Sequence, residues 1–599
     1  RRVADDDGDM TGRPAARVLS VVDRAHDTLV GRYEVAEPFG VVVPADPRIP
    51  YDVFTMRAES PEVPDGALVR VRIAQFPTRR SAATGFVEEV LADTSDAPGA
   101  GIDLIVGRHK LETVFSEGAL ADASAATLDA EGALAAGYRD LRGRFTFTID
   151  PADAKDFDDA LSLDYLEGLW RLGVHIADVS HYVPWGSSVD LDARRRATSV
   201  YLADRVIPML PPALSDELCS LAPGAERRSM TADLFLNDEG ELVRFSLYPA
   251  LIRSDARLSY GEADDILVDY KAAIAAGGDI AWRLVECSRL ARAREAARAR
   301  AGGIDFATTE AKVVLDAEGR PTDIALRRKT DATRLVEEAM ILANETVAGY
   351  LERRGFPCLY RVHEPPASDA LGSLIPVFQE FDWFERPMEA RLVAGDPKVI
   401  QEILTASAPR SEGELVSSLL LRAMKRADYR PENQGHYGLA SEAYCHFTSP
   451  IRRYPDLVVH RMLRAALTRR PEKFDQEVAA LPWIAEHSSA MERVAEAAAR
   501  ESQELKMVEY LAAFVGQSFS AVISGVAAWG LYVRLDCTAE GILPVRALGD
   551  EYFVFDPVRY TLVGDESGKV YRLGQRVAVT LKSADATTAS LEFVLAGRR

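Results

Sequence analysis

The feature that most constrains this chain is a short aspartate-rich loop between two strand-like runs. Residues 145–149 alternate in character as a half-buried strand does, and residues 160–164 form a second strand-like run. Of the carboxylates in the loop between them, four are candidate ligands: Asp150, Asp156, Asp158 and Asp159. A turn between two strands would gather these groups into one small volume, where like charges raise each other's pKa unless cations neutralise them. A bound divalent metal is therefore the economical explanation.

The donor chemistry of this loop narrows the choice of metal. Oxygen-only ligands favour Mg²⁺, with Mn²⁺ as an alternative, and no His or Cys stands nearby at a spacing that would indicate zinc. Two such ions about 4 Å apart are the usual device for in-line phosphodiester hydrolysis. An exposed acidic turn or a structural Ca²⁺ loop fits the spacing as well. The choice between these and a catalytic metal site depends on other segments of the chain.

A second candidate segment begins at Ser449. Ser449 as N-cap and Pro450 as first helical residue predict a helix start. Arg452 and Arg453 then fall in the first turn, where the helix dipole disfavours cations, so a bound phosphate would explain them. A salt bridge to Asp456 is the alternative.

Three aromatic residues and one carboxylate are further candidates for binding. Tyr201, Tyr260 and Phe306 each lie at the edge of a strand-like or turn-like run, where an exposed ring can stack on an unpaired base. A single aromatic residue is nevertheless more often part of a core. Glu338 borders the apolar stripe of a helix predicted over Asp331–Arg353, so it needs a polar partner, which a ribose hydroxyl would supply.

Both flanks of the chain have the pattern of small all-β barrels. Short β-rich runs separated by Asp, Pro and Gly predict strands in the first flank at 17–22, 28–35, 40–43, 68–73 and 85–90. A second barrel begins near Phe514, and the middle mixes hairpin signals with amphipathic helices, one of them from Pro482 to Leu511. The predicted domains are 1–15 as a disordered segment or remnant of an upstream domain, 16–116 as a barrel, 117–140 as a linker, 141–512 as an α+β domain and 513–599 as a barrel.

Charge and cysteine usage limit the partners and the compartment. Lys plus Arg total 71 against 92 Asp plus Glu, so the net charge of −21 requires any polyanion to bind in a local basic groove. The five cysteines are scattered and never form a CxxC pair, which argues against a disulfide framework and favours a reducing cytoplasm. No apolar run is long enough for a membrane span and the acidic start is unlike a signal peptide, so no membrane partner is expected.

Six runs in collinear order resemble the ribonuclease II/ribonuclease R family. They are TIDPADAKDFDDAL at 148–161, VHIADVSHYV at 174–183, TSVYLADRVIPMLPPALSDELCSL at 198–221, LYRVHEPP at 359–366, ENQGHYGLA at 432–440 and YCHFTSPIRRYPDLVVHR at 444–461. The resemblance implies a multidomain fold with a central α+β RNB catalytic domain. It also implies flanking OB-fold barrels, of cold-shock type before that domain and of S-one type after it.

The same resemblance implies a processive 3′→5′ hydrolytic exoribonuclease. Such an enzyme takes single-stranded RNA through a channel and releases nucleoside 5′-monophosphates and a short end product. A ribonuclease R would also degrade structured RNA that has a single-stranded 3′ tail. The four aspartates match the family's metal ligands in a two-metal mechanism. Tyr201 and Phe306 match aromatics that clamp terminal bases, Tyr260 and Glu338 match contacts that favour RNA over DNA, and Arg452 matches the arginine that acts on the scissile phosphate.

Two other functions stay open on the same scaffold. One is an RNA-binding protein with weak or lost catalysis, against which the presence of all four acids and Arg452 argues. The other is a nuclease acting on DNA, against which Tyr260 and Glu338 argue as readers of the 2′-hydroxyl. We expect a cytoplasmic monomer with RNA as its partner and no obligate protein partner.

Overall fold

The computed structural model divides the chain into two units, one up to Leu111 and one from Glu112 onward. The structure describes residues 27–46, 48–59, 62–78, 80–94, 99–275, 278–306, 310–410, 412–468, 475–557, 559–586 and 588–597. The predicted segment 1–15 and the predicted strand 17–22 lie outside these residues.

The first unit is a closed five-stranded barrel followed by a helix, Ala100–Arg108. Its strands are Thr28–Ala36, Phe39–Pro44, Val53–Met56, Leu68–Gln75 and Ala83–Ala92. They pair in the order first, second, third, fifth, fourth, and the third and fifth run parallel. The core holds side chains such as Leu29, Tyr33 and Val69. The predicted barrel is confirmed over its described strands.

A seven-stranded sheet forms the centre of the second unit. From one edge to the other its strands are Ala256–Ser259, Phe147–Asp150, Asp159–Leu166, Leu169–Ala177, Glu226–Leu236, Leu242–Arg253 and Arg139–Asp140. The first two of these are parallel, and their register places Ser259 opposite Asp150. Three two-stranded sheets accompany it: Val200–Tyr201 with Val206–Ile207, Glu310–Leu315 with Pro321–Arg327, and Tyr360–Val362 with Asp428–Arg430.

Many of the helices pack around this sheet and share one hydrophobic core with it, whereas the five helices between Ser368 and Ala423 pack in a separate core. The helices are Glu117–Ala125, Ala130–Ala135, Val179–Tyr182, Ser188–Arg196, Tyr260–Val268, Tyr270–Ala275, Asp279–Ala301, Asp331–Arg353, Ser368–Gly372, Ile375–Phe378, Arg386–Val393, Pro397–Ser407, Gly413–Ala423, Tyr454–Thr468 and Asp475–Leu511. The helix predicted over Asp331–Arg353 is confirmed, with Thr330 as its N-cap. The helix predicted from Pro482 is longer than expected, since Pro482 lies inside it. None of the described helices is long and apolar enough to cross a membrane.

The segment 117–140 is not the linker that its composition predicts. Ala119 and Ala123, on the helix Glu117–Ala125, are buried in the core of the second unit. The carboxylate of Asp122 accepts a hydrogen bond from the Val189 N–H at 3.1 Å, which ties this helix to Ser188–Arg196. Small alanine side chains look like linker composition, but here they allow close helix packing.

The chain ends in a second closed barrel with the same strand order as the first. Its strands are Ser518–Ala527, Gly530–Leu535, Glu540–Pro544, Arg576–Asp585 and Ser590–Leu595, and a three-stranded sheet, Phe553–Asp556, Thr561–Gly564 and Val570–Arg572, is inserted before the last two. Val313 and Met507 belong to the barrel's core. An α+β domain between two small barrels is the fold class that the sequence predicts.

A buried network of charges joins three helices of the second unit. Arg461 bonds the carboxylates of Asp190 at 2.8 Å and Glu477 at 3.0 Å, and all three side chains are at most 4% exposed. The Tyr454 hydroxyl donates a further hydrogen bond to Asp190 at 2.9 Å. Buried charges need such partners because an unpaired one is costly.

We expect Arg461→Met to lower the free energy of unfolding by about 3–5 kcal/mol, since it leaves two buried carboxylates short of a cation. Arg500→Met on the long helix is the matched control. Its partner Glu504 is 3.9 Å away and both side chains are more than half exposed, so the loss should stay below about 1 kcal/mol. Urea unfolding of the full chain measures both, and equal losses would contradict the network's role.

Candidate active site

The sheet itself positions the aspartate-rich loop. Asp150 is the last residue of the strand Phe147–Asp150, and Asp159 is the first residue of Asp159–Leu166. The loop is therefore anchored in the sheet at both ends. Asp158 is 3% exposed, whereas Asp156 is half-buried at the surface of the loop.

Two distant segments meet this loop and complete the cluster. The Ile451 N–H donates a hydrogen bond to Oδ1 of Asp158 at 2.8 Å, and Nε of Arg452 lies 3.3 Å from its Oδ2. The Tyr201 hydroxyl donates to Oδ2 of Asp156 at 3.0 Å, while 41% of Tyr201 stays exposed. The structure thus brings together the acids, the arginine and one of the aromatics that the sequence predicts.

The acids are held where their charges are unfavourable. Burial raises the pKa of Asp158 well above its usual range, and the Arg452 guanidinium only partly offsets this. Burial and the neighbouring Asp159 raise the pKa of Asp150 as well. Burial also raises the pKa of Asp159, against the lowering effect of Arg452. Such a cluster favours the binding of a cation.

A test of fit for a divalent metal gives a mixed answer. Oδ2 of Asp150 and Oδ2 of Asp158 are buried hard oxygen donors that accept no hydrogen bond, although Arg452 lies 3.3 Å from the second. Among the described residues, however, no group of three or more Asp, Glu, His or Cys side chains is arranged to hold a metal ion. The donor chemistry therefore suits Mg²⁺ or Mn²⁺, and a complete ligand set is not preformed.

The segment around Arg452 folds differently from the prediction. The helix starts at Tyr454, so the helix start at Pro450 was wrong, and residues 449–453 form a turn in which the Arg453 N–H donates to the Ser449 carbonyl at 3.0 Å. The buried Asp456 carboxylate accepts from the Ser449 N–H at 2.8 Å and from Arg453 at 2.8 Å. It thereby ties together the first and last residues of this turn.

This turn separates the roles of the two arginines. Arg453 pairs with the buried Asp456, as the salt-bridge alternative predicts, and its contact with a phosphate stays a prediction. Arg452 is 41% exposed, and its Nη2 donates to the Ser449 hydroxyl at 2.9 Å, which leaves other donors of its guanidinium open to solvent.

Glu338 has a protein partner instead of the predicted ribose hydroxyl. Its Oε1 accepts from Nη2 of Arg298 at 2.6 Å, and both side chains are buried. This arginine, forty positions earlier, bonds one oxygen of the carboxylate, and the buried Oε2 accepts no hydrogen bond. A contact of Glu338 with RNA now rests on the family resemblance alone.

The other two aromatics occupy different surroundings. Tyr260 is the first residue of the helix Tyr260–Val268, directly after Ser259, which is paired with Asp150. Burial raises its pKa, and the charges of Asp159 and Asp150 add to the effect, so Tyr260 lies beside the acids. Phe306 packs, half-buried, against a hydrophobic cluster that includes Ile304. Its pairing with Tyr201 across a base stays a prediction.

Two residues that the sequence did not single out hold the loop in place. The buried Ser220 hydroxyl donates to the Lys155 carbonyl at 2.6 Å and accepts from the Phe157 N–H at 3.1 Å, on either side of Asp156. Nη2 of Arg257 donates to the carbonyls of Pro151 at 2.9 Å and Ala152 at 2.8 Å. Every residue has a backbone carbonyl, so the bonds that these two side chains make do not depend on which residues accept them. No sequence signal therefore marks Ser220 or Arg257.

Comparisons with known proteins cover both units. Residues 138–469 match the family described as RNB domain, and residues 42–116 match the family described as Cold shock domain. The chain is 37% identical to Ribonuclease R of Aquifex aeolicus over 98% of this chain and 82% of that protein. It is 38% identical to Ribonuclease R of Thermotoga maritima over 99% of this chain and 84% of that protein.

A solved structure shows the same architecture. Mycoplasma genitalium RNase R in complex with ribose methylated single-stranded RNA matches with a TM-score of 0.89 and 26% identity. The match covers 98% of this chain and 93% of that chain. Every segment that meets at the acid cluster falls within the RNB match.

We expect Ser220→Ala to weaken Mn²⁺ binding by about 10–100-fold, the usual cost of losing a group that orients metal ligands. Ser407→Ala is the control, because Ser407 is also buried and bonds only the Leu404 carbonyl of its own helix. Isothermal titration of Mn²⁺ into the RNA-free protein measures the affinity. Equal affinities in the two variants would contradict the positioning role of Ser220.

Proposed function

This chain belongs to the ribonuclease II/ribonuclease R (RNB) family, and on that premise we propose that it is a hydrolytic exoribonuclease. Its substrate is single-stranded RNA, including single-stranded 3′ tails of structured RNA, which it degrades processively from the 3′ end. The products are nucleoside 5′-monophosphates and a short remaining oligonucleotide. The observation that carries this proposal is the meeting of Arg452 and Tyr201 at a partly buried cluster of four aspartates.

The proposed cofactor is Mg²⁺, or Mn²⁺ in its place. Bound by Asp150, Asp156, Asp158 and Asp159, it would supply the charge that activates water and stabilises the leaving oxygen in phosphodiester hydrolysis. The two buried oxygens that accept no hydrogen bond support this assignment. Ser220 and Arg257 keep the loop's backbone fixed, so that the carboxylates would complete the ligand set by side-chain movement when a cation arrives.

Arg452 is the group that we assign to the scissile phosphate. Its guanidinium presents several donors in a planar fork, which matches the non-bridging oxygens of a phosphate. The turn 449–453 keeps it beside Asp158, where the phosphate to be cleaved would lie. Its exposed position allows it to pair with a ligand, whereas Arg453 pairs with the buried Asp456.

The aromatic residues would hold the end of the strand. Tyr201 offers an exposed ring whose hydroxyl is fixed by Asp156, so a base can stack on it without a change in side-chain position. Phe306 is proposed as the second platform of this clamp. Tyr260, beside Asp150 and Asp159, is proposed to read the 2′-hydroxyl that separates RNA from DNA.

We expect Asp158→Asn to reduce the rate of nucleotide release by more than about 100-fold, because it removes a buried cation ligand. Affinity for single-stranded RNA should change little, since most of it comes from phosphate contacts elsewhere. Asp153→Asn is the control, because Asp153 lies in the same loop but is 67% exposed and pairs with Lys312. The assay follows RNA labelled at its 5′ end, with Mg²⁺ or with EDTA.

Three outcomes of that assay would count against the proposal. Cleavage that persists in EDTA would show that the reaction does not need a metal. Equal loss of RNA binding and turnover in Asp158→Asn would show that this acid does not act in catalysis alone. RNA binding by the wild type without any release of nucleotides would indicate a binding protein on the same scaffold.

We expect Tyr201→Ala to lengthen the residual oligonucleotide, because stacking of about 1–3 kcal/mol per base holds the shortened strand for its last cuts. Sizing of the limit digest on a denaturing gel measures the fragment, and a melting curve is recorded beside it. A destabilised variant with the wild-type end product would mean that Tyr201 only supports the fold.

A further inference from the structure

A second concave site adjoins the acid cluster. It is a cleft of about 550 Å³, bordered by the strand Val200–Tyr201, the strand Asp428–Arg430 and the long helix Asp475–Leu511. Tyr201 lines this cleft, whereas the four aspartates and Arg452 do not. Its volume falls within the range of pockets that bind small organic ligands.

One wall of the cleft is also the wall of the active site. The Ser199 N–H donates to the Arg452 carbonyl at 2.9 Å, and Thr198 bonds the same carbonyl through its hydroxyl at 3.1 Å. Two residues further on, the Tyr201 hydroxyl reaches Asp156. The cleft therefore adjoins the acid cluster directly, with Tyr201 at their common border.

The positive and negative charges that line the cleft are equal in number, but one of the arginines has no partner in the described part of the chain. Its lining contains three arginines and three acids: Arg361, Arg426, Arg493, Asp428, Glu492 and Glu496. Arg361 bonds both carboxylate oxygens of Glu492, at 2.6 and 2.9 Å, and Arg426 lies 3.5 Å from Glu496. Within the described residues, Arg493 is exposed and makes no hydrogen bond or ion pair.

This charge pattern fits a small anion better than a nucleic-acid strand. A strand carries a charge at every phosphate and is bound by a continuous series of cations, which a neutral lining does not provide. One phosphate needs one free cation, and Arg493 is available. Weak retention would also suit a molecule that has to leave at every turnover.

We propose that this cleft binds the nucleoside 5′-monophosphate released at the acid cluster and is the route by which it leaves. The proposal rests on the proposed function, because only hydrolysis at the 3′ end makes this product. A processive enzyme keeps its strand bound, so the strand occupies the path of entry and the product needs another opening. Tyr201 lies between the two sites, and Arg493 meets the phosphate.

The first test measures binding of AMP to the RNA-free full chain in EDTA, by isothermal titration. Arg493→Gln should weaken AMP binding about ten-fold, the effect of one charge-assisted hydrogen bond. Arg500→Gln, on the same helix but outside the cleft lining, should leave it within about two-fold. Adenosine, which lacks the phosphate, should bind equally to the wild type and Arg493→Gln.

The second test asks whether the cleft holds RNA instead. Affinity for a single-stranded oligonucleotide should be the same in the wild type, Arg493→Gln and Arg500→Gln. Equal weakening of AMP and RNA binding by Arg493→Gln would assign the cleft to the strand and overturn the proposal. AMP affinity that is unchanged in Arg493→Gln would overturn it as well.

A variant in which the cleft is blocked allows a kinetic test of the exit route. Ala499→Trp places a large side chain in the lining, so AMP binding should be lost and RNA cleavage should show a fast first turnover followed by a slower steady rate. A linear time course at the wild-type rate would contradict an exit route. AMP binding by a chain that never cleaves RNA would refute the proposed function while leaving the anion site, so the two failures can be told apart.

Discussion

Four carboxylates in one partly buried loop are the constraint around which the second unit is organised. Their mutual repulsion favours an open loop, and the structure opposes this with bonds from every side. The sheet fixes both ends of the loop, Ser220 and Arg257 hold its backbone, and Ile451 and Arg452 come from a turn almost three hundred residues away. That turn depends in its own right on the buried Asp456. Apart from Arg452, the groups that hold this loop in place are proposed to have no part in the reaction itself.

Much of this arrangement can be predicted from the sequence, because it depends on residues that are close to one another in the chain. The barrel strands, the helix Asp331–Arg353 and the clustering of the acids follow from periodicity and from short spacings, which act within one element. The errors have non-local causes. The helix starts at Tyr454 instead of Pro450, after a turn whose ends are tied to Asp456, and Arg298 on another helix bonds Glu338. Ser220 and Arg257 act through backbone carbonyls, which residue types do not encode.

The two barrels share a strand order but differ in how they are built into the chain. The first barrel forms a unit of its own up to Leu111. The second includes Val313 and Met507 in its core, so a hairpin and the long helix of the central domain are part of its packing. The same hairpin carries Lys312, which bonds Asp153 in the aspartate-rich loop at 2.6 Å. The second barrel and the central domain therefore share elements of one fold.

The proximity of Arg452 to Asp158 has a thermodynamic consequence. Nε of Arg452 stands 3.3 Å from the one oxygen of Asp158 that accepts no hydrogen bond, so in the ligand-free protein the arginine is the counter-ion of that acid. A phosphate that draws the guanidinium toward itself leaves the oxygen free for another cation. A cation at that oxygen equally releases the guanidinium for a phosphate. If both ligands bind as proposed, linkage requires each to raise the affinity for the other by the same factor, so this one ion pair would make the two binding events cooperative.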